Sequence, residues 1–169
     1  EYLMRGRKVY RAAVYLGLST DTYDADGQVT ATAFEVNVTL AQLGEALSAF
    51  VGRIEQMPPM YSALKHQGTP LYKLARQGKI VERKPRPVEI YEIKLLSWSP
   101  PVLTIEVTCS PGTYLRSLAH DLGQRLGCGA HLSSLTRLAS GHFTLDEAID
   151  LDALSEAFAT GRWAELIHP

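Results

Sequence analysis

The chain has 169 residues, 46% hydrophobic and 21% charged, with a formal net charge of −1. That length supports one core rather than two, the near-neutral balance gives no sign of a polyanionic partner, and no run of 18 apolar residues exists to span a membrane. Cys109 and Cys128 are too few for a disulfide framework and the first residues carry no basic-then-apolar secretion signal, so a reduced, cytoplasmic protein is expected.

Residues 8–17 are rich in Val, Tyr and Ala and close on Gly17, which predicts a strand. Residues 19–27 are loop chemistry, short polar side chains followed by Gly27. Val29, Ala31, Ala33, Val36 and Val38 predict a second strand over 28–38. Thr39 reads as the N-cap of a helix whose Leu40, Leu43, Leu47 and Phe50 recur at helical spacing. Gln56-Met57-Pro58-Pro59 is extended, because proline restricts itself and its predecessor. Thr69 reads as an N-cap before Pro70, opening a short helix with Leu71, Leu74 and Ala75 on one face and Gly78 as its stop. Strands are predicted over 86–98 and 101–109, turning at Pro100-Pro101. A helix over 112–126 carries Tyr114, Leu115, Leu118, Ala119, Leu122 and Leu126 on one face and ends at Gly127. A strand over 131–143 and an acidic helix over about 150–159, capped by Asp150, complete the chain. Strands and helices do not alternate in a βαβ rhythm, so the expected class is α+β, a mostly antiparallel mixed sheet flanked by helices.

The small total charge hides an asymmetry. Between Met60 and Val88, Lys65, Lys73, Arg76, Lys79, Arg83, Lys84 and Arg86 face Glu82 alone, a net charge of +6. From His142 to Pro169 six acids face one Arg, a net charge of −5. A basic stripe on a neutral protein fits an element that contacts phosphates, against the simpler reading of a solvated loop.

Four constellations invite chemistry. Asp21, Asp24 and Asp26 before Gly27 suggest a calcium loop, but alignment to that pattern puts Thr22 first and Ala33 twelfth, where an acid and a Glu are needed. Cys128 and His131 are a single pair, not the two pairs of a zinc site, and a hydrogen bond within the fold suits His131 better. No metal is expected. Tyr10, flanked by Lys8 and Arg11, is either a base-stacking group between phosphate-holding cations or a packed strand tyrosine. Arg116 falls in the first turn of a helix that follows Cys109-Ser110-Pro111-Gly112. A cation there opposes the helix dipole, which suggests an anion for it to hold.

Three blocks carry a resemblance. They are Lys8-Val9-Tyr10-Arg11 with Thr20-Asp21-Thr22-Tyr23-Asp24-Ala25-Asp26-Gly27; Gln56 to Lys65 with Leu71-Tyr72 and Ala75-Arg76; and Cys109 to Leu118 with Asp121-Leu122-Gly123, Gly129-Ala130-His131-Leu132, Leu135 and Arg137. In this order and spacing they resemble the TruB-type tRNA pseudouridine synthases from about residue 8 to residue 143. The resemblance implies isomerisation of a flipped-out uridine of the tRNA T-loop, with no cofactor. It implies that Tyr10 stacks on the uracil and assists removal of the C5 proton, that Arg116 pairs with the catalytic aspartate, and that Tyr114 and Leu135 line the pocket. Residues about 57–85 are then an RNA-gripping insertion that orders on RNA. Lys8, Arg11, Tyr61, Lys65, Tyr72, Lys73, Arg76, Lys79 and His131 are the expected RNA contacts.

The family's catalytic aspartate belongs N-terminal to Tyr10, and residues 1–9 contain no Asp. Because the chain starts at Glu1, the expectation is a partial catalytic domain over residues 1–169. It would lack its N-terminal strands and catalytic segment, either because a companion peptide of the same protein supplies them or because the sequence is truncated, and any C-terminal RNA-binding domain. A T-arm stem-loop is the expected partner, no membrane is involved, and a monomer is expected. The alternative is a non-catalytic RNA-binding or chaperone module on the same fold. The long basic insertion favours a stand-alone enzyme over a guide-RNA-dependent relative, since a stand-alone enzyme must grip its own RNA.

Overall fold

In β1 (Lys8–Leu16) every second side chain points to the same face. Ala12, Val14 and Leu16 are thereby buried while Arg11 lies on the opposite face. The computed structural model describes residues 6–166, apart from the side chain of Glu165.

Two more strands share that pattern. β7 (Arg86–Ser99) and β8 (Val102–Cys109) run antiparallel, joined through Pro100-Pro101. β8 buries Leu103, Ile105, Val107 and Cys109, and it lies against β1 with Tyr10 opposite Val107 and Ala12 opposite Ile105. β9 (Ala130–Ser140) pairs with the other side of β1. With β4 (Gly52–Gln56) beyond β7 and β10 (Phe143–Thr144) beyond β9, six described strands form one sheet in the order β10-β9-β1-β8-β7-β4. All its pairings are antiparallel. The α+β expectation holds.

Two helices cover one face of the sheet. α1 (Leu40–Ser48) opens with a capping box: Thr39 Oγ1 accepts from Gln42 N at 3.3 Å, and Gln42 Oε1 accepts from Thr39 N at 2.9 Å. Such a cap contributes about 1 kcal/mol. Its Leu43, Ala46 and Leu47 are buried. Next come α2 (Leu71–Arg76) and α3 (Leu115–Leu126). Leu115, Leu118, Ala119 and Leu122 of α3 recur at i, i+3, i+4 and i+7 and join the sheet core. Each fully buried leucine contributes about 1.5–3 kcal/mol. Gly123 lets α3 approach β9 closely, since a Cβ there would collide with the Ala130 backbone.

The structure departs from the sequence reading in five places. The strand expected over 28–38 is only β3 (Val29–Thr32), a ribbon with β2 (Leu18–Thr20). Ser19 and Thr20 of β2 are buried while β3 is exposed throughout; Val36 and Val38 pack on the core from irregular chain instead. β4 was not anticipated: Arg53 and Glu55 point outward and leave Ile54 as its one large apolar residue, too short a pattern to read. Thr69 is not a helix cap, because it belongs to the hairpin of β5 (Lys65–His66) and β6 (Thr69–Pro70), and Pro70 occupies the cap position of α2. That hairpin turns at Gln67 and Gly68, both at positive φ. α3 starts at Leu115, not Gly112, since Thr113 bonds back to the Ser110 carbonyl and Tyr114 is extended. β9 ends at Ser140 before a turn into β10, short of residue 143. The last acidic element is α4 (Leu151–Ala159), capped as expected by Asp150 Oδ1, which accepts from Ala153 N at 2.7 Å.

Candidate active site

The start of α3 is fastened to the chain that leaves β4. Gln56, 1% exposed, donates from Nε2 to the Tyr114 carbonyl at 3.0 Å and accepts from Tyr114 N at 2.8 Å. One residue beyond Arg116, Ser117 Oγ donates to the Met57 carbonyl at 2.7 Å. A buried amide that satisfies a backbone N–H and C=O together fixes the helix entry at a point where no side chain caps it.

Arg116 is the second residue of α3, where the helix dipole opposes a cation. The compensating anion is Asp24. Arg116 Nη1 donates to Asp24 Oδ2 at 3.0 Å, Nη2 donates to the Tyr61 carbonyl at 2.7 Å, and Nη1 makes a longer 3.5 Å bond to the Thr22 carbonyl. Both charged side chains are 24% exposed, so the bond is charge-assisted and shielded from much of the solvent.

The Asp24 loop is held by its own polar side chains. Thr20 Oγ1 donates to the Asp24 carbonyl at 2.7 Å, and Asp24 Oδ1 accepts from Asp26 N at 3.2 Å and from the Thr22 hydroxyl. Asp21 Oδ1 accepts from Gln28 N at 2.8 Å. These bonds are those of a polar turn, the simpler reading of the aspartate cluster.

Beside the ion pair opens a cleft of about 280 Å³, lined by Asp24, Ala25, Asp26, Arg116 and Leu132 to Leu135. Arg116 and Leu135, 19 positions apart in the numbering, therefore line one cleft. Leu135 pairs with Ala12 in the sheet, and Tyr10 lies half-buried further along the same face of β1. Tyr114 and Tyr10 are not among the cleft's lining residues. Tyr114 instead sits at the helix entry, its backbone held by Gln56.

The insertion contributes a second cleft of about 250 Å³, whose lining includes Lys65, His66, Arg83, Lys84 and Arg86 with Glu82. Arg83 Nη1 donates to the Pro58 carbonyl at 2.9 Å and closes the two ends of the insertion on each other. Lys65, Lys73, Arg76 and Lys79 are exposed, and the Arg76 guanidinium lies 5.5 Å from the Tyr72 ring centroid. Tyr61 is half-buried and gives its carbonyl to Arg116.

Two expected RNA contacts are not among the lining residues of the Arg116 cleft. The strand period of two puts Arg11 on the face of β1 opposite Tyr10, 54% exposed and 3.9 Å from Glu106. His131 is 7% exposed, its Nδ1 lies 2.9 Å from the Leu18 carbonyl and its ring stacks on Tyr15, so it serves the fold, as the residue-level reading of it held. Lys8 shares the Tyr10 face, and its Nζ donates to Ser140 Oγ at 2.6 Å. Asp24, Gln56 and Ser117 were not singled out for roles in the site. Asp24 lies 92 residues from Arg116, and no local spacing could have joined them.

Family models cover this arrangement from end to end. Residues 1–115 match the N-terminal domain of the TruB family pseudouridylate synthases, and residues 116–167 match the tRNA pseudouridylate synthase B C-terminal domain. The chain belongs to the TruB family of pseudouridylate synthases. Similar curated relatives carry the name tRNA pseudouridine synthase B. That of Thiobacillus denitrificans is 52% identical over 166 residues, covering 98% of this chain and 55% of the relative. That of Geobacter sulfurreducens is 47% identical with the same coverage, and that of Syntrophotalea carbinolica is 49% identical over 154 residues, covering 91% and 50%. The chain spans about half the length of the curated relatives it matches. Among solved structures, the crystal structure of a Cbf5-Nop10-Gar1 complex matches with a TM-score of 0.71 at 25% identity, covering 98% of this chain and 42% of the other. An H/ACA RNP bound to a substrate RNA containing 2'-deoxyuridine shares the fold, with a TM-score of 0.65 at 24% identity, covering 97% and 37%.

Proposed function

We propose that this chain is the body of the catalytic domain of a tRNA pseudouridine synthase, acting as a monomer on the T-arm. The observation that carries the reading is the Arg116–Asp24 ion pair at the entry of α3, opening on a cleft with Leu135 and standing at the foot of a basic insertion. The reaction is an isomerisation. The N-glycosidic bond breaks, the uracil turns, C5 bonds to the ribose carbon, the C5 proton is lost to a base, and N1 takes up a proton.

A uridine in a folded loop must be extruded to be reached. Tyr10 offers a ring face to the extruded base, Leu135 bounds the space around it, and Tyr114 stands at the helix entry beside Arg116. Asp24 is spoken for by Arg116, Thr22 and Asp26 N, so it positions the arginine rather than attacking the sugar. A guanidinium has five N–H donors in a fixed fork. Held on one side by Asp24, Arg116 can present the rest to the attacking aspartate, which in this reading lies N-terminal to Tyr10 and outside these residues. The exposed cations Lys65, Lys73, Arg76 and Lys79, with Tyr61 and Tyr72, take the phosphates and loop surface of the RNA by shape. Residues about 57–85 order on RNA, which limited proteolysis with and without a T-arm would register as protection. A tRNA substrate places the activity in the cytoplasm.

The test is tritium release from C5-labelled uridine in a T-arm stem-loop, run with the natural protein that carries this chain and with residues 1–169 alone. Release by the natural protein and none by a folded, RNA-binding chain is the expected pair of results. Tight binding without release by both would favour an RNA chaperone on the same fold.

A further inference from the structure

Tyr23 has a φ of +67°, and apart from glycine only Gln67 shares a positive φ among the described residues. A bulky side chain rarely holds that conformation unless its surroundings impose it. Its ring lies face to face with His120, with centroids 3.9 Å apart and planes 15° from parallel. His120 stands one turn beyond Arg116 on the same face of α3. Tyr23 is the residue before Asp24, which holds Arg116.

In an extended chain, adjacent side chains point to opposite sides. Only the turn at Tyr23 lets two consecutive side chains reach one helix face, Tyr23 on His120 and Asp24 on Arg116. The Tyr23 carbonyl accepts from Leu132 N at 2.9 Å, so β9 braces the same residue from behind. What His120 supplies is its flat face. Its Nδ1 is buried and has no hydrogen-bond partner among the described residues. Burial, and then the charge of Arg83, hold its pKa below the ordinary value and keep the ring neutral.

We propose that Tyr23 and His120 are a positioning pair whose ring stack holds the strained loop in the one conformation that delivers Asp24 to Arg116. The pair touches no reacting atom and acts through the ion pair. Its effect on turnover rests on the function proposed above; its effect on the ion pair does not.

The experiment takes the natural protein through Y23A, H120A, H120L, Y23F and H120F. Loss of the stack lowers the single-turnover rate of pseudouridine formation about 10- to 100-fold with tRNA affinity kept within about twofold, the pattern of a displaced reactive group. Y23F and H120F keep a flat ring and retain the rate. H120L, which fills the space without a flat face, behaves like H120A and covers the case in which the alanine variants fail to fold. In nitrogen NMR, hindered rotation should resolve the Arg116 Nη signals in the wild type. These should vanish in Y23A, H120A and H120L as they vanish in D24N, and persist in Y23F and H120F. Unchanged signals and rates in the folded alanine and leucine variants would overturn the proposal, as would phenylalanine variants as impaired as the alanines. A wild-type protein that forms no pseudouridine would sink the functional reading alone, and the NMR series would still decide the clamp.

Discussion

Arg116 occupies a place where the helix dipole works against it, and Asp24 with the Tyr61 and Thr22 carbonyls makes that place tenable. Removing the guanidinium leaves Asp24 without its cation and the cleft without its donor. Arg116→Ala is expected to lower single-turnover pseudouridine formation by about 10²–10³, the usual cost of one lost electrostatic donor. RNA affinity should barely change, because phosphate contacts elsewhere supply it; stopped-flow binding beside quenched-flow chemistry separates the two, and a near-normal rate would remove the role. Asp24→Asn keeps the shape and removes the charge, so it should fall between wild type and Arg116→Ala in rate. Complete loss of release in Asp24→Asn would instead point to Asp24 as the attacking group.

At the scale of elements, the seam between α3 and β9 places Arg116 against Leu132 and Leu135. Gly123 makes that seam close, and Gly123→Ala forces the helix away from the Ala130 backbone. The expected loss is about 1–3 kcal/mol of stability, the ordinary range for overpacking, measured by chemical denaturation; an unchanged midpoint would mean that the seam yields freely. The insertion is the other element with a distinct task. Its exposed cations are separate from the cleft, so charge removal there should act on binding and not on chemistry. Lys65→Gln with Arg76→Gln should weaken T-arm binding and flatten the log-log salt dependence by about 0.7–0.9 for each phosphate contact removed. A salt slope identical to wild type would show that neither residue meets phosphate.

Two neighbours on α3 give the whole molecule a response to pH. The pKa of His120 is lowered by burial and by Arg83, so the folded state resists its protonation. Its share of stability is complete above the ordinary value of 6.5 and is lost as pH falls through the folded value. The pKa of Asp121 is raised by burial. Its contribution is present below the ordinary value of 3.8 and is lost as pH rises through the folded value. Wild type should therefore lose thermal stability as pH falls below about 6.5, the ordinary His value, and His120→Phe should flatten that loss. Asp121→Asn should stabilise the protein at neutral pH, with the gain vanishing in strong acid. Melting curves that are parallel for wild type and His120→Phe across this range would contradict the first expectation.

Period and spacing within the chain settled much in advance. The two-residue alternation of 8–17, 86–98 and 101–109 and the helical repeats from Leu40 and Leu115 state which face of each element is apolar, because that information lies within a few residues of itself. The resemblance of the three blocks pointed to Tyr10, Arg116 and the insertion. What lay outside the sequence's reach was every partnership between distant positions. No local pattern brings Asp24 to Arg116, Gln56 to the Tyr114 backbone or Tyr23 to His120. Nor could composition tell that β3 is exposed throughout, until the sheet and its two helices fixed which side is the core. Element type follows from short-range sterics and periodicity, whereas the site is made by contacts between segments roughly 50 to 100 residues apart, and only tertiary packing decides those.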